Sequence, residues 1–434
     1  MTAGSADLSA SPTDRDFRAL WFGQSISAVG DQVSFFVLPT IAVLTLHASS
    51  VQIGALNAVG TIAYPCLGLF AGVLMDRIRR RRAMVVIDAA RLVVFGSLPV
   101  AAALGGLSLV QLFIVAGLAG ICTVLFDVAY QSHLPSVLRA DNLAQGNARL
   151  EMSAAVARFA GPPLGGVLLQ GLGLVGALTA NAVSFLASII GVLRIRTPEP
   201  RAVVVPDRGG IRAQIAEGAR FLWGHPLLRP LTVSAALRNL GMNAARAVLI
   251  VFVYRALGLS PGVAGLMFTA GAVAAFIGAA GCQRLVTRVG AGRALLLTAA
   301  EGLVWLLAPL SLLGGSVPIL MAIMFLSSIW LPIWNACVTT IRQAVTPPEL
   351  LGRVHATART INLSTIPVGA FAGGLLAQGF AGAFGTRLGL ALALSACAAV
   401  ATASLSQLAR PEIRRLTAFP SRPAASTGRS QEDK

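Results

Sequence analysis

Asp31, Gln24, Asn239, Asn243 and Arg246 are the side chains whose type and placement could do chemistry away from bulk water. Asp31 falls near the middle of an apolar run, residues 19–46, where a charge is costly and therefore a functional candidate. Gln24 lies seven residues earlier, close to the same helical face. A carboxyl group in such a place can exchange a proton as its surroundings open and close, or contact a cationic group on a bound molecule. It can equally serve as the fixed partner of an arginine. Asn239, Asn243 and Arg246 follow at spacings of four and three, which puts them near one face of a helix and suits a polar cavity wall. The planar guanidinium of Arg246 could pair with Asp31 or recognise an anionic or catecholate-like substrate. Arg238 lies nearer the start of the same run and reads as a packing or interface residue.

The elements that must position these residues are membrane helices. Of the 434 residues, 56% are hydrophobic and only 12% are charged, against roughly 25% charged in an ordinary soluble domain. Neutral stretches at 32–75, 92–126, 159–193, 256–283 and 302–341 each exceed the roughly 20 residues that cross a bilayer as one helix. Glycine, proline and charge divide the chain into twelve expected spans, at 19–46, 50–75, 83–104, 107–130, 150–170, 174–193, 228–255, 261–283, 294–313, 317–341, 360–379 and 387–408. The fold class is thus an all-α membrane protein of twelve transmembrane helices in two pseudo-symmetric six-helix bundles.

The net charge of +17 would suit nucleic acid if it were spread over a soluble surface. Its placement excludes that reading. Arg77, Arg79, Arg80, Arg81 and Arg82 crowd one break, and Arg194, Arg196, Arg201, Arg208 and Arg212 crowd another. The alternate breaks, 47–49, 105–106, 171–173, 256–260, 314–316 and 380–386, hold no Lys or Arg, so the positive-inside rule puts both termini in the cytoplasm. The expected organisation is a cytoplasmic tail, 1–17; a six-helix bundle, 18–193; a cytoplasmic linker with an amphipathic helix, 194–227; a second bundle, 228–408; and a disordered cytoplasmic tail, 409–434. Residues 1–16 carry Asp7, Asp14 and Asp16 and lack the basic start of a cleaved signal peptide, so the first span is expected to remain in the membrane. The five cysteines sit singly in apolar surroundings, which predicts buried thiols without disulfides or zinc.

The halves repeat. A shift of 208 residues lays Gly161-Pro162-Pro163-Leu164-Gly165-Gly166 on Gly369-Ala370-Phe371-Ala372-Gly373-Gly374, Asp141 on Glu349 and Phe126 on Trp334. A shift of 211 lays Gly54 on Gly265, Gly60 on Gly271, Arg77 on Arg288 and Arg82 on Arg293. Duplication is a common transporter signature, and glycines spaced four apart let helix backbones touch in lipid. Spans five and eleven are therefore expected to be packing helices.

The second break reads Gly72-Val73-Leu74-Met75-Asp76-Arg77-Ile78-Arg79-Arg80-Arg81-Arg82. It resembles the signature between helices two and three of the major facilitator superfamily, with Arg79 standing where the family has its second glycine. Ser27-Ala28-Val29-Gly30-Asp31, residues 126–135 and 143–151, and Glu217 through Pro226 resemble the bacterial branch of enterobactin exporters and macrolide efflux proteins, and the likeness covers about residues 15–410. The resemblance implies alternating access of two rocking bundles around a cavity lined by spans one, four, seven and ten, in a bacterial inner membrane. It also implies export as the commoner activity, proton exchange as its usual energy source, and an acidic partner, Asp127, for a basic residue of the motif such as Arg80. Gly72, Asp76, Arg77, Arg80 and Asp127 would then form a conformational latch.

Other charges carry less. Asp88 and Arg91 are three apart and read as a structural pair. Arg158 and Glu301 lie deep, with no partner visible in the sequence. No phosphate loop, nucleophile elbow or paired-histidine metal motif appears, which disfavours an ATP-driven pump and an enzyme, and no cofactor is expected. The expected partners are a small-molecule substrate, protons and the lipid bilayer, with the chain a monomer. A proton-coupled exporter of an amphiphilic drug or siderophore-like molecule fits these features. An importer of a small metabolite would use the same architecture, and a membrane-embedded receptor or enzyme is the third possibility.

Overall fold

The computed structural model describes residues 12–75, 78–138, 143–197 and 211–420, and every regular element among them is helical. Eleven helices are long and apolar enough to cross a bilayer. Span two makes the twelfth, built from two shorter helices, Ser50–Thr61 and Ala63–Met75. The interruption has a local cause. Pro65 has no amide proton for the Thr61 carbonyl, and the Thr61 hydroxyl bonds back to the carbonyl of Asn57 at 2.9 Å.

Span one is Pro12–Leu44, and spans three to six are Arg80–Ala103, Leu109–Val137, Leu143–Gly171 and Gly173–Leu193. Span seven, Leu228–Val251, runs on into a π-helical turn, Phe252–Ala256. Spans eight, eleven and twelve are led by Pro261–Val289, Pro348–Phe384 and Thr386–Thr402, while span ten divides into Ser316–Ser328 and Trp330–Val345. Span nine is also segmented, as Ala291–Leu297 and Ala300–Trp305. Several helices outrun their expected limits. Span eleven was expected at 360–379, because Arg353 and Arg359 end the apolar run; charge limits hydropathy but does not stop a helix. Gly385, at φ 78°, turns the chain directly into span twelve, so the expected break at 380–386 shrinks to one residue.

The duplication in sequence is a duplication in contact. A Cβ added to Gly161 would lie 2.2 Å from Gln32 of span one, and one added to Gly369 would lie 2.4 Å from the Leu240 carbonyl of span seven. These two contacts are related by the same 208-residue shift. Gly166 of span five abuts Pro261 and Gly262 of span eight, and Gly374 of span eleven abuts Ser50 and Gly54 of span two. In each case the absent side chain lets two backbones meet, as close helix packing in lipid requires. Span five also stays helical through Pro162 and Pro163.

These last contacts join the two bundles at the end where the breaks lack arginine. There the Thr40 and Tyr254 hydroxyls lie 3.1 Å apart, Arg255 donates to the Ala48 carbonyl, and Phe36 meets Phe268 edge to face at 5.8 Å. The bundles are thus pinned together on one side of the cavity.

The linker helix, Ile211–Gly224, packs on span eleven. Leu222 is buried with Leu228, Val354 and Ala358, and Glu217 pairs with Arg353. The stretch expected to be disordered from 409 begins docked: Ile413 is buried, and the Gly292 amide donates to the Leu416 carbonyl at 2.8 Å.

Candidate functional site

Charged side chains inside a membrane protein need partners, because lipid offers none. In the first bundle they form a chain across four spans. Gln24 Nε2 donates to Ser188 Oγ at 2.6 Å, and Ser188 Oγ donates to Asp88 Oδ2 at 2.5 Å. Arg91 Nη1 lies 3.6 Å from Asp88 Oδ1 and 3.9 Å from Asp31 Oδ2. Its Nη2 donates to Thr123 Oγ1 at 2.8 Å, and its guanidinium lies 5.0 Å from the Phe126 ring and 5.6 Å from the Phe185 ring. Asp31 and Gln24, expected on one face, are therefore the two ends of one polar chain. Gln24 is turned toward span six and spends its amide there.

Asp31 differs from its neighbours in exposure. Its side chain is 38% accessible, while those of Arg91 and Asp88 are 4% and 0%. A carboxylate enclosed on all sides by helices yet reachable by water lies on the wall of an internal cavity. Asp31 also faces the charge of Asp127. Asp127 in turn accepts a hydrogen bond from the Tyr64 hydroxyl and faces Arg91 and, from span eleven, Arg359.

The second bundle answers with cations. Arg238 pairs with Glu301 through Nε and Nη2, and its guanidinium stacks 5.2 Å from the ring of Trp334. Trp334 is the residue that the 208-residue shift lays on Phe126, so each bundle rests a buried arginine on the same aromatic position. This gives Glu301 the partner that the sequence did not reveal. Arg246 is exposed and forms no ion pair among the described residues. Of the partners left open for Asp31, the arginine that the structure sets beside it is Arg91, not Arg246. Asn239 is half-buried, and Asn243 turns its amide back to the Asn239 carbonyl at 2.8 Å, a bond within one helix.

The latch residues are only partly in view. Gly72 lies within the second half of span two, while Asp76 and Arg77 lie outside the described residues. Arg80 Nη1 donates to the Ser132 carbonyl at 2.9 Å, and Asp127 accepts from the Tyr64 hydroxyl. Arg158 is exposed. Sequence reasoning missed Tyr64, Ser188 and Arg359, none of which stands out by type or spacing.

Two duplicated helical bundles, pinned at one end and lined by facing acidic and basic walls, define a multi-pass membrane transporter. The sequence profile of the Major Facilitator Superfamily matches residues 20–364, and the chain belongs to that family. It is 27% identical over 388 residues to the multidrug efflux pump Tap of Mycolicibacterium fortuitum, covering 86% of this chain and 91% of that protein. It is 26% identical over 375 residues to the enterobactin exporter EntS of Salmonella typhi, covering 84% of this chain and 86% of that one. Among solved structures, a bacterial homologue of the iron transporter ferroportin in an inward-facing state superposes with a TM-score of 0.71 at 20% identity, covering 91% of this chain and 99% of that one. These relatives are transporters, not enzymes.

Proposed function

We propose that this chain exports an amphiphilic small molecule across a bacterial cytoplasmic membrane in exchange for protons, with both termini in the cytoplasm. The relatives named for efflux and export support the direction. The coupling reading rests on one observation: Asp31, Asp88 and Asp127 surround the single guanidinium of Arg91, and of the three only Asp31 is both loosely paired and open to the cavity. Arg91, with Arg359 facing Asp127 from span eleven, sets two guanidiniums against three carboxylates in a medium that penalises charge, so a proton or a cationic substrate group is needed to complete the site.

In this reading Asp31 carries the proton, and Gln24 sets its network through Ser188. Asn239, Asn243 and Arg246 form the facing wall that meets polar groups of the substrate. Gly72, Asp76, Arg77, Arg80 and Asp127 serve as the latch between open states, with Tyr64 fixing Asp127. On this reading, the sealed end of the bundles faces outward and the cavity faces the cytoplasm.

A panel of dyes, antibiotics and siderophores screened against a deletion strain would supply a substrate. Its accumulation would then be measured with and without an uncoupler, and in proteoliposomes under an imposed pH gradient. Export lost on uncoupling, and lost again in a folded Asp31→Asn variant, is the expected result. Gradient-driven transport unchanged in Asp31→Asn would refute the role given to Asp31, and uptake in place of export would reverse the direction.

A further inference from the structure

A groove of about 1040 Å³ lies between the start of span one and the end of span six, at the arginine-rich end of the first bundle and away from the charged network described above. Its rim carries Arg15, Arg18, Arg194 and Arg196, all exposed. None of the four forms an ion pair with a carboxylate among the described residues. Asp16, beside Arg15 in the chain, is already occupied: it accepts from the Arg196 amide at 2.9 Å, the Thr197 amide at 2.8 Å and the Thr197 hydroxyl at 2.6 Å. Those bonds tie the strap bearing Arg194 and Arg196 to the start of span one and set Arg196 beside the Asp16 charge, so Arg15, Arg18 and Arg194 converge without a paired carboxylate among the described residues.

The rest of the groove is apolar. At its floor the two helices touch through small residues: a Cβ on Gly23 would lie 2.6 Å from the Ala187 carbonyl oxygen, and one on Gly191 would lie 2.6 Å from that of Ala19. Phe22 and Ile190 stand exposed on either side, and the walls run from the charged rim along the helices into the membrane zone. A track lined by hydrocarbon below a cluster of four cations matches one kind of molecule, with fatty chains below an anionic headgroup. Basic pockets between membrane helices bind anionic lipid headgroups for this reason.

We propose that the groove between spans one and six is a binding site for an anionic phospholipid, its phosphate held by Arg18 and Arg194 with Arg15 and Arg196 beside them, and its acyl chain lying over Gly23 and Gly191. The lipid would brace span one, which carries Asp31, against span six, which carries Ser188.

Native mass spectrometry of the full chain in mild detergent tests this, with dioleoyl phosphatidylglycerol and dioleoyl phosphatidylcholine as probes. The phosphatidylglycerol adduct is expected to be preferred and to weaken roughly 10–30-fold in Arg18→Gln/Arg194→Gln, taking about 1 kcal/mol per arginine. It should be unchanged in Arg288→Gln/Arg293→Gln, at the corresponding end of the second bundle. Equal loss in both variants, or no headgroup preference, would overturn the site. Displacement by inorganic phosphate as readily as by lipid would show a free-anion site instead and also overturn it. Trp21 lines the groove, so brominated phosphatidylglycerol should quench the unmodified chain more than brominated phosphatidylcholine does, and the difference should vanish in Trp21→Phe. Equal quenching by both lipids would count against the proposal without any arginine variant having to fold.

Discussion

Arg91 stands 3.9 Å from Asp31, slightly farther than the 3.6 Å at which it meets Asp88 one turn away in its own helix. One guanidinium is therefore shared between a sealed carboxylate and one that water can reach. Neutralising Asp31 would leave Asp88 as the one carboxylate in ion-pair range of Arg91 among the described residues, which makes the arginine the element that can report protonation at the cavity wall to the packed interior of the bundle.

Asp31→Asn and Asp88→Asn should consequently differ. The first is expected to preserve folding and abolish transport driven by a pH gradient. The second removes an acceptor held by Ser188 and Arg91, and should cost stability of about 1–3 kcal/mol through the groups it leaves unsatisfied. Thermal unfolding in detergent, paired with proteoliposome flux, separates the two effects.

Breaking either buried ion pair from one side should be more damaging than removing both members. Glu301→Gln leaves Arg238 charged and without its carboxylate, a loss on the order of 3–5 kcal/mol, whereas Glu301→Gln with Arg238→Met should recover part of it. The unfolding midpoints of the two single variants and the double variant give the coupling directly. Additive losses would contradict the pairing.

Arg246→Gln should leave the unfolding midpoint nearly unchanged, since this exposed side chain forms no ion pair among the described residues. If it meets an anionic substrate group, affinity should fall by about 1.5–3 kcal/mol, the scale of a lost charged hydrogen bond. A raised KM with kcat preserved is the expected signature.

Gly54→Val should prise apart the pinned end. Its Cβ would come within 2.6 Å of the Ala370 carbonyl oxygen and 2.9 Å of the Gly374 Cα, both backbone atoms that cannot swing aside. The population should shift toward the state open at that end. A cysteine placed at Thr40, in a chain whose own five cysteines are replaced, should then label faster from that side; unaltered labelling would contradict the seal.

Much of the architecture was open to reading from the residues in order. Hydrocarbon-length runs between arginine-rich breaks report the spans, because desolvating backbone and charge in lipid leaves few alternatives to helix. The glycine repeat marks spans five and eleven as packing helices, because small residues permit close backbone approach in lipid. Asp31 and Arg246 stood out by type and depth, and Asp88 with Arg91 by spacing.

What the tertiary structure alone decided was partnership. Gln24 and Ser188 are 164 positions apart and Arg238 and Glu301 are 63 apart, distances over which no periodicity carries information. Whether Asp31 meets Arg246 or Arg91 depends on how spans one, three and seven rotate about their axes. That rotation is set by packing of small residues between helices and not by the hydropathy of any one of them. The same holds for the groove beneath Arg18 and Arg194, where Arg15 with Arg18 and Arg194 with Arg196 form two pairs far apart along the chain that converge only because spans one and six lie side by side.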